Sequence, residues 1–323
     1  MTTALIAAFF TGIVVSAVSI PFIIARQRRG RAGQHIYEDA PKTHAVKEGT
    51  PTLGGAAFTL AAIAGYALTY QDARQLPLLC LMIAAGLVGF ADDLLILRAQ
   101  RALGLRARIK FALLALAAIG YVAWLGRSDP TASAQYWFGG TVVLPHAAWA
   151  VLSVLAIVGA ANAVNLTDGL DGLAAGTVLP TLLALQLPLR PGIGGPVGVG
   201  IAALGSCLGF LWFNRHPAKI FMGDTGSLAL GALLAGLAIQ SHELLLLPFF
   251  GAIFVLEALS VILQVISFKT TRRRIFRMSP LHHHFELSGW REAAVTSTFI
   301  IVQTLFAAAT WLACWGAARG ETS

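Results

Sequence analysis

Apolar residues run through this chain in blocks too long for the interior of an ordinary soluble domain. Ten runs can be counted, roughly at 3–25, 51–70, 76–96, 109–126, 147–164, 170–189, 193–213, 226–240, 243–268 and 294–317. A helix needs about 20 apolar residues to cross the hydrocarbon core of a bilayer, and most of the runs approach that length. Lipid offers no partner for backbone N–H and C=O groups, so an open chain inside it must be helical. The pattern predicts an all-α integral membrane protein, a bundle of about ten transmembrane helices forming one domain over residues 1–323, since no linker interrupts it. The ninth run, with its polar extension to Arg274, is longer than a bilayer requires, which predicts a tilt, a bend or a protrusion. One stretch has a different period. Tyr136-Trp137-Phe138, then Gly139-Gly140, then Thr141 to Leu144 reads as a small extracytoplasmic β-hairpin capping the membrane surface.

Composition sharpens the membrane reading. The chain is 57% hydrophobic and 12% charged, where a soluble domain carries about a quarter charged residues. The net charge of +8 does not indicate nucleic acid, because the basic residues sit in short loops between apolar runs. The loops after runs 1, 3, 5, 7 and 9 hold 6, 5, 0, 2 and 6 of the 23 lysines and arginines, and the other side holds Arg74, Arg127, Arg190 and Arg319. Short basic loops stay in the cytoplasm, so the odd loops are cytoplasmic, both termini lie outside, and anionic lipid headgroups are the natural contacts of the basic side. The first run has no basic segment before it and is too long for a signal peptide, so it reads as a retained helix. Cys80, Cys207 and Cys314 lie inside apolar runs without paired spacing and read as small buried hydrophobes.

Charge inside or at the edge of a bilayer is expensive, which makes the polar clusters informative. Asp92-Asp93 ends run 3, where an acidic pair opposes the helix macrodipole. Side chains one residue apart on a helix point about 100° apart, so the two carboxylates face different partners. Asn162, Asn165, Asp168 and Asp171 recur at a spacing of three, with Gly169 and Gly172 favouring a break that exposes backbone. Asn214-Arg215-His216-Pro217 is followed by Gly223-Asp224-Thr225-Gly226-Ser227, where Asp224 offers a hard oxygen to a cation such as Mg²⁺. His282-His283-His284 follows Arg272-Arg273-Arg274 and reads as imidazoles and guanidiniums that grip phosphate or carboxylate, since consecutive histidines rarely converge on one metal. Lys47 stands before Gly49-Thr50-Pro51-Thr52-Leu53-Gly54-Gly55, a glycine-rich helix start suited to phosphate. All of these clusters fall on the basic side of the bundle.

At these residues the chain resembles the phospho-N-acetylmuramoyl-pentapeptide-transferase family, one branch of the polyprenyl-phosphate N-acetylhexosamine-1-phosphate transferases. The likeness runs from about His44 to Trp290 in the same order. The acidic pair, the Asn-x-x-Asn-x-x-Asp-Gly-Leu-Asp-Gly segment and the Gly-Asp-Thr-Gly-Ser-Leu segment are shared by the wider superfamily. Lys47 to Gly55 and Pro280 to Trp290 look specific to the muramoyl-pentapeptide branch. The resemblance implies transfer of phospho-N-acetylmuramoyl-pentapeptide from its UDP carrier to undecaprenyl phosphate, giving lipid I and UMP, with Mg²⁺ as cofactor, in the bacterial cytoplasmic membrane. It implies catalytic roles for Asp92, Asp93 and Asp224, and metal ligation by Asp224 with Asp168. It also implies substrate contacts from Lys47, Lys110, Asn162, Asn165, Asp168, Asp171, His282, His283 and His284, and it is compatible with a homodimer. One feature departs from the family: Leu94-Leu95-Ile96 stand where an aromatic residue and a lysine are usual, leaving Arg98 or Arg101 as the nearest cations in sequence. A donor carrying N-acetylglucosamine is the alternative within the enzyme class. A transporter is the alternative outside it, disfavoured because the charges gather on one side and no internal repeat is visible.

Overall fold

A computed structural model describes residues 2–29, 47, 49–69, 75–99, 104–138, 140–189 and 195–320. Arg31, Lys42, His44, Arg74, Arg101, Gly139 and Arg190 lie outside the described residues. Every apolar run becomes helix: α1 (Thr2–Arg29), α2 (Ala56–Leu68), α3 (Gln75–Ala99), α4 (Ala107–Ser128), α5 (His146–Thr167), α6 (Leu173–Gln186), α7 (Gly198–Asn214), α8 (Gly223–Gln240), α9 (Leu247–Phe250), α10 (Ala252–Thr271) and α12 (Glu292–Gly320), with short α11 (Leu281–Glu286) between the last two. The long ninth run bends, breaking at Gly251 between α9 and α10. The hairpin is present as β1 (Ala134–Trp137) and β2 (Gly140–Val143), antiparallel with Trp137 opposite Gly140. Its edge is tied down by Tyr136 N donating to His242 O at 2.8 Å and Leu244 N donating to Gln135 Oε1 at 2.9 Å.

Six helices, α1, α3, α4, α5, α10 and α12, are long and apolar enough to cross a membrane. Phe10, Val18, Phe22, Leu116 and Trp212 are exposed on the outer faces of the bundle, where lipid rather than water is the solvent. Helices α2, α6 and α7 are shorter, at 13, 14 and 17 residues. For α2 and α6 the missing first turn belongs to a segment singled out in the sequence, Pro51 to Gly55 and Leu170 to Gly172. Before α2 the chain is extended and pairs with the approach to α8, with Gly54 N donating to Phe221 O at 2.9 Å, Gly55 N to Met222 O at 3.0 Å and Phe221 N to Pro51 O at 2.8 Å. Non-helical backbone at this depth survives because neighbouring protein satisfies it.

Helix α8 is the centre of the bundle, buried from Thr225 to Gln240. Close approach depends on residues without side chains, as expected where helices associate in lipid by tight packing. A Cβ at Gly89 of α3 would meet the Asp224 carbonyl oxygen at 2.1 Å, and one at Gly55 would meet Gly226 Cα at 2.1 Å. Both obstacles are backbone and have no flexible end to swing aside. Gly89→Ala is therefore expected to separate α3 from the start of α8 and cost about 1–3 kcal/mol, the usual range for overpacking. A thermal midpoint equal to that of the native chain would show that the helices have slack here.

Candidate active site

Three stretches far apart in sequence meet at the N-terminus of α8. Asp224, in its first turn, receives Asn165 Nδ2 on Oδ1 at 2.7 Å and Lys110 Nζ on Oδ2. Asn165 Nδ2 also reaches Ser227 Oγ at 2.9 Å. Lys110 enters from the first turn of α4 and pairs in addition with Asp92 Oδ1 at 3.1 Å. The basic partner that Leu94-Leu95-Ile96 does not supply thus comes from the next helix, and not from Arg98, which is exposed.

The two carboxylates of the acidic pair do different work, as their divergence on a helix requires. Asp92 is buried, and its Oδ1 accepts Leu105 N at 2.8 Å as well as the lysine. Asp93 accepts Asp224 N at 3.0 Å, Thr225 N at 2.9 Å and Thr225 Oγ1 at 2.6 Å. Asp93 is therefore the N-terminal cap of α8, supplied from α3. It satisfies donors that a helix start leaves without partners and places negative charge at the positive end of the dipole. Its effect is to hold Asp224 in place.

A second cluster lies around Asp171. Lys47 Nζ sits 2.9 Å from Asp171 Oδ1 and 2.5 Å from Glu292 Oε1, and Asp171 N donates to the same glutamate oxygen at 2.7 Å. Asp171 Oδ2 meets His216 Nδ1 and accepts Ala218 N, each at 3.0 Å. Asn214 braces this turn, accepting Gly172 N at 3.0 Å and donating to Ile220 O at 2.9 Å. Burial alone would raise the Asp171 carboxyl, but hydrogen bonds and charge from Lys47, joined by Ala218 and His216, outweigh it and hold Asp171 below the usual carboxylate range. Burial likewise works to lower Lys47, and Glu292 with Asp171 outweighs it, keeping the ammonium above the ordinary lysine value. Asp168, between the two clusters, is pushed well above the usual range by burial and by the negative charges of Asp224 and Asp93.

Among the described residues, the one group of three side chains close enough to share a metal is Asp171, His216 and Glu292. Lys47 already neutralises two of them, so that cluster is read as an ion-pair network. The other cluster is richer in charge that lacks a partner. Asp92 and Asp224 share the cation Lys110 there, Asp93 beside them caps α8, and Asp168 feels the negative charge of Asp224 and Asp93, offset by Lys47. Carboxylates are the hard oxygen donors that suit Mg²⁺, and Asp224 and Asp168 are donors of that type.

The remaining sequence candidates lie as follows. Asn162 is half-buried and donates to Val158 O of its own helix at 2.8 Å, without a bond to either cluster. His283 Nδ1 meets Glu286 Oε2 at 2.8 Å, and His284 Nδ1 accepts Arg277 N at 3.1 Å. His282 is fully buried, its Nδ1 3.2 Å from Glu257 Oε1 and its ring 4.2 Å from that of His283. The three successive imidazoles thus have three different partners. Glu292 escaped the sequence reading because a lone acid in the first turn of a helix is what the macrodipole favours anyway, so nothing distinguished it.

The chain is similar to known proteins along most of its length. The family described as Glycosyl transferase family 4 matches residues 75–242. A phospho-N-acetylmuramoyl-pentapeptide-transferase of Pelotomaculum thermopropionicum is 46% identical over 311 residues, covering 94% of this chain and 95% of the relative. Proteins of the same name from Heliobacterium modesticaldum (46% over 299 residues, 89% of this chain and 91% of the relative) and Geobacillus kaustophilus (43% over 319 residues, 94% of each) are similar along nearly their whole length. The chain belongs to the phospho-N-acetylmuramoyl-pentapeptide-transferase family.

Proposed function

We propose that this chain transfers phospho-N-acetylmuramoyl-pentapeptide from UDP-N-acetylmuramoyl-pentapeptide to undecaprenyl phosphate, releasing UMP and forming lipid I at the cytoplasmic face of a bacterial cytoplasmic membrane. In the reaction an oxygen of the lipid phosphate forms a bond to the sugar-linked phosphorus, and the phosphoanhydride bond to UMP breaks. The observation that carries the reading is the meeting of Asp92, Lys110, Asn165 and Asp224 at one point, in a chain whose named relatives align along almost its full length. The 19 basic residues on that side of the bundle support a cytoplasmic site.

Asp224 and Asp168 are the residues suited to hold Mg²⁺. When bound, the ion neutralises diphosphate charge and stabilises the leaving UMP. Lys110 presents an ammonium between Asp92 and Asp224, where it can bind an incoming phosphate, and Asp92 orients that phosphate or takes its proton. Asp93 fixes Asp224 through the backbone of α8. Asn165 fixes its other oxygen. Lys47, held by Asp171 and Glu292, gives a preorganised positive charge to the donor, with His283 and His284 on α11 as further contacts. The test is UMP release by the purified protein from these two substrates, with release stopped by chelation and restored by Mg²⁺.

A further inference from the structure

Glu257 lies inside α10, one of the membrane-spanning helices, and is completely buried. An ionisable group at such a position is costly and marks a function. Among the described residues, the hydrogen-bond partners of its carboxylate all come from one place, the start of α11. Leu281 N donates to Oε2 at 2.7 Å, His282 N donates to Oε1 at 3.2 Å, and His282 Nδ1 lies 3.2 Å from Oε1. Glu257 therefore caps α11 from a neighbouring helix and holds the His282 ring at the same time.

His282 is equally buried, and its Nε2 has no hydrogen-bond partner among the described residues. That edge of the ring is pressed on Gly169, where a Cβ would meet Nε2 at 2.3 Å. Gly169 stands between Asp168 and Asp171, the residues flanking the two clusters of the site. A continuous line of contact thus runs from α10 through Glu257 and His282 to the backbone that carries those carboxylates. His283 and His284 ride on the same short helix.

We propose that Glu257 is a positioning residue for the donor. With His282 it forms a strut that sets the spacing between α11 and the Asp168–Asp171 segment, so that groups on both sides meet one UDP-sugar. The inference rests on the donor reading given above. The rest of the site, where Lys110 meets Asp92, does not touch the strut, so binding of the lipid acceptor is expected to be independent of it.

The test is steady-state kinetics of the full chain in detergent, varying UDP-N-acetylmuramoyl-pentapeptide and undecaprenyl phosphate in turn, with thermal midpoints recorded. Glu257→Ala is expected to raise the donor KM at least about tenfold and leave the acceptor KM within about twofold, the scale of losing hydrogen bonds to a charged group. Glu257→Gln keeps one oxygen acceptor and is expected to restore part of the loss. Gly169→Ala, which displaces the ring from the other side, is expected to raise the donor KM as well. A folded Glu257→Ala protein with native donor KM overturns the proposal, as does an equal change in both KM values. If the alanine variant does not fold, Glu257→Gln decides alone, and a native donor KM in it overturns the strut. Failure of the native chain to use this donor would instead count against the functional reading.

Discussion

Asp224→Asn yields a folded protein whose turnover is lower by roughly 10³-fold, about 4 kcal/mol in barrier. The amide retains the shape of the side chain, and Asn165 and Lys110 lie on its two oxygens in the native chain. What is lost is the negative charge in a site that gathers carboxylates from α3 and α8 around one lysine. Asp93 still caps α8 through the backbone of residues 224 and 225, so the fold does not depend on the substituted group. Turnover measured with saturating donor, acceptor and Mg²⁺, together with a thermal midpoint, checks both halves. Activity within tenfold of the native chain would remove Asp224 from the role of principal ligand. In the same assay the native chain is expected to be silent under chelation and to recover with Mg²⁺.

Lys47→Met has the largest expected effect on stability. It leaves Asp171 and Glu292 without their cation in a largely enclosed setting. Removing one partner of a buried pair costs about 3–5 kcal/mol, and the slight exposure of Lys47 and Glu292 places the expectation near the lower figure. The donor KM rises with it, since the lysine is a phosphate contact in this account. Adding Glu292→Gln to Lys47→Met relieves one orphaned carboxylate and should recover part of the stability without recovering donor affinity. The pH dependence has a definite sign. Asp171 is depressed in the folded chain, so its contribution is present above the usual carboxylate value and lost as pH falls through the lower folded value. Lys47 is raised, so its contribution is present below the usual lysine value and lost as pH rises through the higher folded one. The stability difference between native and Lys47→Met chains should therefore be flat from about pH 4 to about pH 10 and shrink outside that window. A gap that grows below about pH 4 contradicts the ion-pair assignment.

The bundle was legible in the sequence because lipid enforces helices, and a run of apolar residues has no other reading. The charged residues of the site were legible for the same reason. Asp92, Asp93, Asp168, Asp171 and Asp224 stand out where charge is expensive. Their division of labour was not legible. That Asp93 caps α8 while its neighbour pairs with Lys110 depends on how α3 crosses α8, and that crossing is set by Gly89, one glycine among 33. Nor did the apolar pattern show that α2, α6 and α7 are short. It counts hydrophobic positions and cannot see that Pro51 to Gly55 leave the helix to pair with Phe221 and Met222. Glu292 was not legible because a single acid at a helix start belongs to no spacing; Glu257 stands inside an apolar run, where charge is expensive, but it belongs to no cluster, and only its partners on α11 give it a role.

The donor decides the central claim. With purified chain, undecaprenyl phosphate and Mg²⁺, UMP release and the mass of the lipid product can be followed for UDP-N-acetylmuramoyl-pentapeptide and, separately, for UDP-N-acetylglucosamine. A kcat/KM at least about 100-fold higher is expected for the muramoyl-pentapeptide donor, the scale at which a site with groups dedicated to one substrate rejects a smaller one. Equal or better use of UDP-N-acetylglucosamine, or no UMP from either donor, would contradict it.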